Sequence, residues 1–168
     1  MVTAEEVIER LRLAPLTIEG GYFRENYRAP LRYRAEALPA EYGAERSAST
    51  AIYFLLTPHT FAAMHRLKSD EVHHFYAGDP VEMLQLLPDG SGAVVRIGND
   101  LAVGCEPQIV VPAGAWQGSR LIPGGSWALL GCTVAPGFEY ADFELAERGA
   151  LMVAFPDHAE LIAALTSK

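Results

Sequence analysis

The spacing of apolar and polar positions predicts a chain built mainly of short strands. Along Glu71-Val72-His73-His74-Phe75-Tyr76 the side chains divide with a period of two: Glu71, His73 and Phe75 on one face, Val72, His74 and Tyr76 on the other. Residues 49–56, STAIYFLL, read as a buried strand closed by Thr57-Pro58. Further strands are expected over 81–87, 93–97, 108–111, 116–122 and 126–134, separated by turn signals such as Gly78-Asp79-Pro80, Pro88-Asp89-Gly90 and Pro123-Gly124-Gly125. The aromatic-rich run after Gly20-Gly21 suits another strand, and alternation puts Tyr22, Arg24, Asn26 and Arg28 on one face of it. Residues 29–49 read as one long loop.

Helices are expected only at the ends. Thr3 and Glu6 have capping-box spacing, Val7, Ile8 and Leu11 form an apolar stripe, and Pro15 lies past its end. Two short helices should close the chain, one near 147–154 and one after Pro156 with Asp157 as N-cap. No internal repeat or domain boundary interrupts the pattern, so residues 1–168 read as a single domain, a sandwich or barrel with short terminal helices.

Composition narrows the partners. Half of the 168 residues are apolar and 20% are charged, as in a globular domain. A net charge of −8 argues against a nucleic-acid backbone as partner. No apolar run reaches the roughly 20 residues of a membrane span, and the charged, amphipathic N-terminus is not a secretory signal. Cys105 and Cys132 lack zinc-site spacing and are expected to be free, buried thiols in a cytoplasmic protein. A nucleotide, whose phosphates need only a local basic patch, stays compatible with this charge.

Five stretches carry a resemblance. They are Glu19-Gly20-Gly21-Tyr22-Phe23-Arg24, residues 49–56, the run from His65 to Gly78, Pro112-Ala113-Gly114-Ala115-Trp116-Gln117, and Cys132-Thr133-Val134-Ala135-Pro136-Gly137-Phe138. As a set they resemble the cupin-5 (DUF985) branch of the cupin superfamily. The resemblance implies a double-stranded β-helix, or jelly-roll barrel, of the RmlC-like kind, and a homodimer. Glu71 and Gly78 keep the glutamate-to-glycine spacing of the first cupin motif, with His65 near its second histidine. Ala63 replaces the other motif histidine, Gln117 stands where the second motif has histidine, and His73 stands where the branch more often has tryptophan.

Two of the four usual cupin metal positions are therefore lost, and the resemblance implies chemistry without a cofactor. A divalent transition metal held by His65, Glu71 and His73 is the alternative. His65 and Glu71 are the candidate catalytic pair, since imidazole beside a carboxylate can move protons near neutral pH. His73, Phe75, Trp116, Gln117, Tyr53 and Arg24 are candidate ligand contacts, with Gln117 as a hydrogen-bonding reader and Trp116 or Phe75 as a stacking wall. The function expected is binding of a small polar metabolite, with acid–base isomerase, epimerase or lyase activity. A non-catalytic metabolite- or nucleotide-binding module and a metal-dependent oxygenase or isomerase are the competing readings. Asp142 and Glu144, two apart, fit a shared functional face, and a solvated or inter-subunit edge explains them as well.

Overall fold

The computed structural model describes residues 2–167. The chain opens with helix α1 (Ala4–Leu11). Strands β1 (Ala14–Pro15), β2 (Tyr22–Arg28), β3 (Arg32–Tyr33), β4 (Arg46–Ser47) and β5 (Thr50–Leu56) follow. Next come β6 (Phe61–Leu67), β7 (Asp70–Gly78), β8 (Val81–Leu86), β9 (Gly92–Ile97) and β10 (Gln108–Val111). Strands β11 (Trp116–Leu121), β12 (Ala128–Ala135) and β13 (Phe143–Leu145) complete the β portion, and α2 (Arg148–Ala154) and α3 (Ala159–Ala164) end the chain.

Two antiparallel sheets face each other in a jelly-roll. One has the order β1-β2-β5-β12-β7-β10 and the other β13-β6-β11-β8-β9, so neighbours in each sheet come from distant parts of the chain. Their inner faces meet in a core that includes Phe54, Leu56, Met83, Ile97, Val111 and Leu130. Each such side chain contributes about 1.5–3 kcal/mol on burial. The outer face of the five-stranded sheet is also covered, because Met64, Leu84 and Leu86 pack beneath Leu151, Ile162 and Leu165 of the C-terminal helices. Helix α1 covers part of the other sheet, laying Val7 against Leu55.

The double coverage explains the strand that alternation hides. Strand β6, FAAMHRL, faces the barrel on one side and the helices on the other, and it carries two alanines with little strand preference. Its sequence therefore shows no polar face.

At the N-terminus the capping box forms as its spacing predicts: Glu6 N–H donates to Thr3 Oγ1 and Thr3 N–H to the Glu6 carboxylate. At the C-terminus Glu147 caps α2, with its carboxylate accepting from Gly149 and Ala150 N–H. Asp157 instead lies in a 3-10 turn over Pro156–His158, and α3 starts beyond it without a side-chain cap.

Two expectations about faces need correction. Residue Asn26 bulges out of β2: Glu25 pairs with Ile52, and Tyr27 with the very next residue back, Ala51. The bulge turns Arg28 inward beside Glu25, while Arg24 remains outside. Asp142 is no solvated edge. It is buried and forms a two-point pair with Arg46, at 2.6 and 2.7 Å, with Lys68 Nζ at 3.4 Å. That pair ties the segment 29–49, otherwise short strands and 3-10 turns, to the chain just before β13. Glu144 does lie at the surface, paired with Arg66.

Candidate functional site

The sheets part at one end of the barrel around a cavity of about 170 Å³. Leu16, Phe23, Ile52, Leu67, Val134 and Phe143 supply apolar walls, and Glu19, His65, Glu71 and Cys132 bring polar atoms to it. Glu25, Arg28, Glu139 and Tyr140, all at least partly exposed, line its outer part.

His65 reaches the cavity from β6 and is almost fully buried. Its Nδ1 lies 2.7 Å from the Ala63 carbonyl oxygen. A carbonyl can only accept, so Nδ1 carries the proton and, in the neutral ring, Nε2 holds the lone pair. Phe143 stacks on the imidazole at 5.0 Å and 20°, fixing its plane. Nε2 sits 4.0 Å from Glu19 Oε2, beyond hydrogen-bond distance but close enough for a ligand atom to contact both.

Glu19 arrives through a turn that requires glycine. Gly20 has a positive φ of 108°, and a Cβ there would sit 2.1 Å from the Phe61 carbonyl oxygen. This close approach seats Glu19 between the sheets, where its own carbonyl accepts from Ala63 N–H. Burial pushes its carboxyl above the ordinary value. His65 opposes that shift and the negative Glu71 adds to it.

Behind this pair lies a second polar group whose members hydrogen-bond to one another. Gln117 on β11 donates from Nε2 to Glu71 Oε2 at 2.5 Å and accepts at Oε1 from His73 Nε2 at 2.8 Å. His73 Nδ1 meets Cys132 Sγ at 3.4 Å. The amide orientation follows from its partners, because a carboxylate can only accept. Burial alone would raise the Glu71 pKa, but His73, His65 and the Gln117 amide outweigh it and hold the carboxyl down at about 2. Burial disfavours the His73 imidazolium, yet Cys132 and Glu71 together raise its pKa well above the ordinary value. Burial pushes the Cys132 thiol up to about 11, against the pull of His73. Cys105 is likewise free and buried.

Donor atoms of Glu71, His73 and Cys132 lie within 4.8 Å of one another, the spacing of a candidate metal cluster. In this structure the three are linked through hydrogen bonds: His73 turns Nδ1 to Cys132 and Nε2 to the Gln117 amide, 3.6 Å from Glu71 Oε2. The Gln117 amide bridges Glu71 and His73.

The other sequence candidates fall away from the cavity. Phe75 faces inward but packs against the main core. Trp116, adjacent to the inward Gln117, necessarily points outward; it packs under the C-terminal helices, with the Arg66 guanidinium 4.5 Å above its ring. Tyr53 and Arg24 stack on each other outside the six-stranded sheet, with Tyr76 edge-on to Tyr53. His74 is also outside, bonded to Thr133. Glu19 is the residue that strand periodicity missed, because it sits in a turn; the Gly-Gly after it was the available signal.

Fold and site together define a cupin jelly-roll with a polar cavity between its sheets. The family model described as Cupin superfamily (DUF985) matches residues 5–146, and the chain belongs to that family. It is 31% identical over 133 residues to an uncharacterized protein of Saccharomyces cerevisiae, covering 74% of this chain and 66% of that protein. A hypothetical protein from Leishmania major superposes with a TM-score of 0.89 at 35% identity, over 99% of this chain and 100% of that one. A protein from Shewanella oneidensis gives 0.87 at 34%, over 99% of both chains. Oxalate decarboxylase from Bacillus subtilis gives 0.52 at 15% identity, over 89% of this chain and 37% of that one, a likeness of fold alone. Among the described residues, no helix is long and apolar enough to cross a membrane.

Proposed function

We propose that this protein binds a compact organic molecule in the barrel cavity and moves protons on it without a metal. The observation that carries this reading is the His65 imidazole, fixed by Ala63 and Phe143 with its Nε2 lone pair unpaired beside Glu19. His65 is the base and Glu19, whose carboxyl burial pushes above its ordinary pKa, is the acid. With a carbonyl compound, His65 Nε2 takes the proton from the carbon next to the carbonyl as Glu19 delivers its own to the carbonyl oxygen. An enol and a balanced imidazolium–carboxylate pair result. Return of the proton to another carbon is an isomerisation; expulsion of a group from the next carbon is a lyase reaction.

Glu71 changes role from the sequence expectation. Bridged by Gln117 and held ionised, it is a poor proton acceptor, and it serves to set the charge felt by His65 and Glu19. The cavity is smaller than the roughly 300–1,000 Å³ of drug-sized sites, which favours a small ligand over a nucleotide sugar. The test is exchange of substrate carbon-bound hydrogen in D₂O, followed by proton NMR over a panel of small carbonyl compounds. Wild type should catalyse exchange on a subset, and His65→Gln and Glu19→Gln should each lose it. Exchange that survives both substitutions would overturn the assignment.

A further inference from the structure

The cavity is lined by four glutamate side chains, Glu19, Glu25, Glu71 and Glu139, and by one guanidinium, that of Arg28. Four of the five N–H groups of Arg28 are committed. Its Nε and Nη2 donate to the two Glu25 oxygens at 2.9 and 2.8 Å, its Nη1 to Glu139 Oε1 at 2.7 Å, and its Nη2 also to the Phe138 carbonyl at 3.1 Å. The β2 bulge at Asn26 makes this possible by bringing Arg28 to the same side as Glu25. An entering carboxylate or phosphate would find the one arginine already bound to two acids, and would approach those acids at close range. Like charges within a few ångströms repel, and the two acids outnumber the one arginine between them. An uncharged ligand meets no such barrier, and the apolar walls favour its body.

We infer that Glu25 and Glu139, by clamping Arg28, form a charge filter that makes the cavity select compact, mainly apolar carbonyl compounds and reject carboxylates and phosphates of the same shape. This rests on the acid–base reading for the reacting group, while the filter itself rests on the Arg28 clamp. It also accounts for two acids at a mouth where one would suffice to neutralise the arginine. Glu25 and Glu139 are thus specificity-determining residues, outside the proton-transfer pair.

Acetophenone and benzoate test the filter, since they share one ring and nearly one shape and differ in charge. Affinities are measured by calorimetry on wild type, on E25Q/E139Q and on Arg28→Leu. Wild type should bind acetophenone at least about tenfold more tightly than benzoate, a gap of about 1.4 kcal/mol. In E25Q/E139Q the freed arginine should close or reverse that ratio, and in Arg28→Leu the preference for acetophenone should persist. Benzoate binding to wild type as tightly as acetophenone, an unchanged ratio in E25Q/E139Q, or binding of neither probe would overturn the filter. Unfolding midpoints of all three proteins show that each is folded. The acid–base reading fails by a different sign: acetophenone binds selectively, but His65→Gln leaves its methyl-hydrogen exchange in D₂O unchanged.

Discussion

Two histidine–glutamate pairs share the interior of this barrel, and they differ in how completely their atoms are used. In the His73–Gln117–Glu71 group the amide joins imidazole to carboxylate, and Cys132 takes the remaining ring nitrogen. In the His65–Glu19 pair one ring nitrogen is fixed by a backbone carbonyl and the other faces open space. Buried polar atoms that are fully satisfied stabilise and specify a fold. An unsatisfied one that borders a cavity is available to a ligand. On the proposed reading, the contrast gives the first group a structural role and the second a chemical one.

The contrast breaks most visibly through stability. Replacing Gln117 by Leu leaves both the buried Glu71 carboxylate and His73 short of a partner, which should cost about 3 kcal/mol. His65→Gln, which keeps a polar group near Ala63 and loses mainly the stacking on Phe143, should cost about 1 kcal/mol. Urea unfolding of the two variants checks this, and equal losses would erase the distinction.

The two carboxylates should also respond to pH with opposite sign. Glu71 has a folded pKa of about 2 against 4.5 for an ordinary glutamate. Its contribution, about 3 kcal/mol, is therefore fully present above pH 4.5 and is lost as the pH falls toward 2. Glu19 is raised above 4.5, so its contribution is present below that value and is lost as the pH rises through its folded pKa. Stability measured from pH 2 to 8 should lose most of its acid-side slope in Glu71→Gln. Glu19→Gln should instead be more stable than wild type at neutral pH. A Glu19→Gln variant that loses stability there would show its carboxylate to be a structural partner.

A smaller effect is expected from metal removal. Dialysis against a strong chelator should leave the thermal midpoint of the folded protein where it was, because Gln117 already bridges Glu71 and His73. A clear fall in the midpoint, restored by one divalent ion, would move Glu71, His73 and Cys132 from the structural side of the comparison to the functional one.

How much of this was legible in the sequence depends on local periodicity. The alternation through β7 put Glu71 and His73 on one face and Tyr76 on the other, as in the structure, because an antiparallel strand with one solvated face obeys a period of two; which face is the inner one was not legible locally. The same rule, applied to neighbours, separates Gln117 from Trp116, which cannot both face one pocket. The rule misplaced Arg28, since a single bulged residue inverts every side chain beyond it. Glu19 was invisible to periodicity altogether: its position depends on a turn whose glycine touches a strand forty residues on. The bridging role of Gln117 was equally hidden, because it joins residues 44 and 46 positions away.

The most direct measurement is a long-range proton–nitrogen NMR spectrum of the histidine rings, assigned with His65→Gln and His73→Gln, before and after addition of acetophenone. The account predicts a His65 ring protonated on Nδ1, with a bare Nε2 whose signal moves on ligand addition while both His73 nitrogens stay in place. A His65 ring protonated on Nε2 with Nδ1 bare, or a ligand response confined to His73, would contradict it.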